Sequence, residues 1–146
     1  MDSFLLNLHA GFRYVVLLLI VIALFRATTA WFGQKPYLES DRKLNLFTMI
    51  SAHIQFLSGL ILYFHSPFVK FSPMSETMKD PSLRYWTVEH LTMMLFAILL
   101  ITIGHSRSKK TAGATPKHRV ITIFYGLAVL VIMITIIQSG RPILGR

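Results

Sequence analysis

The sequence predicts an all-α protein: an integral membrane up-down-up-down four-helix bundle. Three observations predict it. Of 146 residues, 53% are hydrophobic and only 14% are charged, whereas a soluble domain carries about a quarter charged residues. The apolar residues gather in four runs, Phe4–Phe25, Leu46–Phe64, Trp86–Gly104 and Val120–Ile137. Each is close to the roughly 20 residues that a helix needs to cross a bilayer. The connections are short, which favours antiparallel neighbours. The chain therefore reads as a single transmembrane domain over residues 1–146, with helices at roughly 4–31, 44–65, 84–105 and 117–138.

The first run carries His9 and Arg13 one helical turn apart and has no basic segment ahead of it. It reads as a retained first span rather than a cleavable signal. In the first connection, Gly33 and Pro36 end helical structure, and Trp31, Phe32 and Tyr37 suit the headgroup level. The second run has His53 embedded in it. The second connection, Ser66 to Leu83, is the longest, with Pro67, Pro73 and Pro81. It is apolar enough to lie on the membrane or cover the outer mouth of the bundle. Glu89 and His90 open the third run. The third connection, Ser106 to Lys117, is small, polar and cationic, a flexible turn, and His118 opens the fourth run.

The net charge of +9 does not indicate nucleic acid, because the basic residues cluster at helix ends and no soluble domain remains to present a basic face. It indicates topology. Arg26, Lys35, Arg42 and Lys43 belong to the first connection, and Arg107, Lys109, Lys110, Lys117 and Arg119 to the third. The positive-inside rule makes both connections cytoplasmic. A multi-pass protein of the inner bacterial membrane with both termini outside is expected. The absence of cysteine excludes disulfides, covalent haem attachment, thiolate metal sites and iron–sulfur clusters.

Imidazole and guanidinium groups in hydrocarbon need something to bind them. With a rise of about 1.5 Å per residue, His9 and His90 fall at one level near the outer face, and His53 and His118 nearer the cytoplasmic face. Each pair lies on one diagonal of a simple bundle. This arrangement points to haem, one or two, held by paired imidazoles. His65 and His105 fall at helix ends, where water or headgroups satisfy them; either is a substitute for a ligand, and His105 is the natural one for His118. Arg13 lies too deep to snorkel easily and needs an anion, either a haem propionate or Glu89. Arg141 is a second candidate for a propionate, and Glu89 for handling a proton or a quinol hydroxyl.

With these residues located, the chain resembles the small bacterial four-helix membrane proteins labelled cytochrome B, cytochrome b-561-like in broad design. The matching segments are Leu8-His9-Ala10-Gly11-Phe12-Arg13-Tyr14, Ala52-His53-Ile54-Gln55, Gly59 to Phe64, Arg84-Tyr85-Trp86-Thr87-Val88-Glu89-His90, Ile101 to Gly104 and Lys117-His118-Arg119. The resemblance implies haem b, with His9, His53, His90 and His118 as candidate ligands. The favoured expectation is an electron carrier that passes electrons across or within the bilayer, coupled to a quinol or to other redox membrane subunits. Two alternatives stand beside it. One is a copper- or zinc-binding membrane protein using histidine with Met93 and Met94. The other is a cofactor-free accessory subunit of a larger membrane complex, with histidines as interhelical hydrogen-bond partners. No hydrolytic or nucleophilic constellation is visible.

Overall fold

The computed structural model describes residues 2–65 and 74–138. In order they form α1 (Asp2–Phe32), α2 (Glu39–His65), two short helices α3 (Met74–Lys79) and α4 (Pro81–Arg84), a π-helical turn (Tyr85–Glu89), α5 (His90–Lys110) and α6 (Ala114–Gln138). The described residues hold no strand. Four helices, α1, α2, α5 and α6, are long and apolar enough to cross a membrane. The all-α four-helix bundle predicted from the sequence is the architecture found, and it fits a multi-pass membrane protein.

The helix α1 packs on α2 and α6, and α5 packs on α6 and α2. The pairs α1/α5 and α2/α6 therefore occupy the diagonals. The α1–α2 and α5–α6 connections share one end of the bundle with most of the basic residues, here called the basic end. The start of α1, the finish of α6 and the π-helical turn share the opposite end.

The helix ends explain themselves locally. Gln34 stands in the left-handed region at φ 51°. The Lys35 N–H reaches the Ala30 carbonyl at 2.9 Å and the Gln34 N–H reaches the Trp31 carbonyl at 3.3 Å. Those two bonds make a Schellman stop, and Pro36 follows it. The next helix starts five residues earlier than roughly 44, the start expected from hydropathy. Asp41 is the cause: its Oδ2 accepts the Leu38 N–H at 2.9 Å, half of a capping box. Its Oδ1 pairs with Arg26 at 2.8 Å, so the finish of α1 and the start of α2 are tied together.

The apolar core is drawn mainly from three helices, and the buried stripe of the fourth is mostly polar. Val16, Ile20, Ala23 and Ala27 of α1 meet Ala97 and Ile101 of α5 and Ile121, Tyr125, Ala128 and Val131 of α6. The buried residues of α2 are instead Asp41, Asn45, Thr48, Ser51 and Ala52, at helical spacing. Its outer face is Phe47, Ile50, Ile54, Leu57, Ile61 and Phe64, all exposed. A helix with a polar inner stripe and an apolar outer one is built for an apolar solvent, since lipid takes the apolar face and only the interior can satisfy polar groups.

Candidate functional site

At the basic end a set of polar side chains closes over the core. Asn45 Nδ2 donates to the Tyr37 hydroxyl at 3.1 Å, and the Tyr125 hydroxyl donates to the Asn45 carbonyl at 2.7 Å. His118 is buried; its Nε2 lies 3.1 Å from the Pro36 carbonyl and its ring centroid 5.1 Å from that of Tyr37. A carbonyl only accepts, so Nε2 carries the proton. Lys117 donates from Nζ to the Ser108 carbonyl at 2.7 Å, closing the end of α5.

Within this end sits His105. It is 2% exposed, and neither ring nitrogen has a hydrogen-bond partner. Leaving a buried polar group unsatisfied costs about 1–3 kcal/mol, and imidazole carries one donor and one acceptor. The sequence predicts His105 at a helix end, in reach of water or headgroups. The structure corrects that: α5 runs on to Lys110, because nothing in Ser106-Arg107-Ser108-Lys109-Lys110 breaks a helix. The extra turn puts His105 inside, on the same side as buried Ile101, Gly104 and Ser108.

The expected pairing of His53 with His118 is not found. The bond between Tyr125 and Asn45 sets α2 and α6 level with each other, and both helices run away from the basic end. His53 lies eight residues beyond Asn45 and His118 seven residues before Tyr125, a separation of roughly 20 Å along the axis. Two imidazoles on one metal stand about 4 Å apart across it, at about 2 Å per bond. His53 is exposed and its Nε2 lies 2.8 Å from Thr102 Oγ1, one turn of α5 before His105. Between these levels the axis is closed by Ile20, Ile101, Ile121 and Tyr125, each at most 1% exposed.

At the opposite end His9 turns to α2. Its Nδ1 lies 2.8 Å from Ser58 Oγ, and Gln55 donates to its backbone carbonyl at 2.8 Å. Gly59 makes the seat: a Cβ there would meet the imidazole Cε1 at 2.8 Å. His90 lies against Tyr85, with ring centroids 5.7 Å apart and Nδ1 3.4 Å from the hydroxyl, which itself donates to the Thr135 carbonyl at 3.0 Å. Arg13 donates to the Tyr14 hydroxyl at 2.9 Å. Glu89 makes its ion pair with Arg84 at 2.7 Å, not with Arg13. The two are five residues apart, the spacing that a π-helical turn brings onto one face. His65 is exposed at the finish of α2, and Arg141 lies outside the described residues.

No protein family, curated protein or solved structure matches this chain. Among the described residues no three of His, Cys, Asp and Glu gather as a metal-ion site would require. What sequence reasoning missed is the polar interior of the basic end. Its signal was present as Asp41, Asn45 and Thr48, one helical face at the head of an apolar run.

Proposed function

We propose that the chain is a b-type membrane cytochrome, an electron carrier in which the His105 imidazole would hold haem b at the basic end. The single observation that carries this reading is the buried His105 ring with both nitrogens unpartnered. That is the side chain most in need of a ligand. A zinc ion takes three or more protein donors, and the described residues gather no three of His, Cys, Asp and Glu. Haem would need only one or two donors from the protein, so a solitary imidazole suits haem better than a bare ion. His53, held at Thr102 one turn away along α5, is the second residue that would help to hold the group. The resemblance to small membrane cytochromes b favours haem b as well, although the ligands it implies are His9, His53, His90 and His118 rather than His105.

When bound, the haem would supply one-electron chemistry, with its potential tuned by axial ligands and nearby hydrogen bonds. The chain's own residues would set its surroundings. Apolar Ile101 and Ile121 exclude water, and Ser108, donating to the His105 carbonyl at 2.7 Å, braces the helix turn carrying the ligand. A quinol or another redox subunit is the proposed exchange partner. By the positive-inside rule the basic end faces the cytoplasm of a bacterial inner membrane and both termini face out.

The test is the visible spectrum of the detergent-purified chain with a haem extraction assay. A Soret band with a sharp reduced α band is expected. Stoichiometric copper or zinc without those bands would favour the metal-binding alternative, and neither would favour an accessory subunit; either result overturns the proposal.

A further inference from the structure

From His90 to Arg146 the sequence contains no Asp or Glu. That stretch includes the whole α5–α6 hairpin, whose connection and flanking turns carry Arg107, Lys109, Lys110, Lys117 and Arg119. The basic residues on the α1–α2 side are differently placed. Arg26 pairs with Asp41 at 2.8 Å and Arg42 with Glu39 at 2.6 Å. At one end of one bundle, two of the four basic residues on the α1–α2 side are paired with acids, and the five on the α5–α6 hairpin have no acid on their own hairpin.

Helix dipoles do not make up the difference. The finish of α5 contributes about half a negative charge, and the start of α6 beside it about half a positive one. Lys117 is already seated on the α5 carbonyls of Ser108 and Lys109. Arg107, Lys109, Lys110 and Arg119 remain, all exposed. Arg107 is held in place, its guanidinium 5.7 Å above the Phe124 ring of α6, a contact that keeps the planar fork extended across the two helices. Lys110, three residues on, shares its face of α5.

We infer that the α5–α6 hairpin is a binding surface for anionic phospholipid headgroups, with Arg107 and Lys110 at its centre. The anion the hairpin lacks is supplied by lipid phosphate in the same membrane, at the depth where these side chains leave the apolar span. This surface does not depend on the haem reading.

The test uses the full chain in detergent, titrated with equimolar phosphatidylglycerol and phosphatidylcholine and read by native mass spectrometry. The chain should retain phosphatidylglycerol in preference. Replacing two charges, Arg107→Gln with Lys110→Gln, should cut that preference about 25-fold, at about fivefold per charge. The matched pair Lys35→Gln with Lys43→Gln, on the α1–α2 side, should cut it far less. Wild-type protein in about 1 M salt, where screening shortens to about 3 Å, should lose the preference without any mutation. Equal loss in both double variants would overturn the assignment to this hairpin. Complete displacement by millimolar inorganic phosphate would show a free-anion site and overturn the lipid.

Discussion

The Tyr125 hydroxyl donates to the Asn45 carbonyl at 2.7 Å, joining α6 to α2 across a diagonal of the bundle. Both partners are buried, Tyr125 at 0% and Asn45 at 3% exposure. Asn45 passes the link on to Tyr37 in the α1–α2 connection, where His118 also bonds. The basic end is thus fastened by side chains from α2, α6 and the first connection.

Tyr125→Phe removes the donor and keeps the ring. The Asn45 carbonyl sits within a helix and retains its own turn, so the loss should be about 1 kcal/mol, in the range of single hydrogen bonds inside membrane bundles. Reversible unfolding in mixed micelles measures it. No change in stability would mean that the link is incidental.

Gly104 is a point of close approach. A Cβ there would stand 2.5 Å from Phe124 Cβ, whereas one at Gly126 would meet only Leu24 Cδ1, at 3.7 Å. Gly104→Ala should destabilise the bundle by about 1–3 kcal/mol through forced separation of α5 and α6. Gly126→Ala should be nearly neutral. The same unfolding assay compares them, and equal effects would contradict the packing described.

Gln34 holds a left-handed backbone at φ 51° to end α1. A side chain in that region costs about 1 kcal/mol relative to glycine. Gln34→Gly should therefore raise stability by up to about that amount. A loss would show that the Gln34 side chain makes a contact outweighing its backbone cost.

The four spans were legible because hydrocarbon imposes length and apolarity together. Their ends were less so, since caps are made by single residues such as Asp41 and Gln34, which hydropathy averages away. Buried histidine was legible in the sequence, but which histidine is buried was not. His105 was misplaced because polar letters after Gly104 look like a loop, yet Ser, Arg and Lys continue a helix readily. The depths of His53 and His118 depend on where each helix begins, and the bond between Asn45 and Tyr125 sets them at different levels. The inner stripe of α2 was overlooked because polar residues at a helix head read as connection, although their spacing already placed them on one face.

The most direct test of the account is the haem content of His105→Ala, set against wild type and His118→Ala at matched yield. His118 already satisfies its Nε2 on the Pro36 carbonyl, so its replacement should leave most haem in place. The account predicts that His105→Ala loses the reduced α band and the bound haem. Full haem content with an unaltered spectrum in His105→Ala would contradict it.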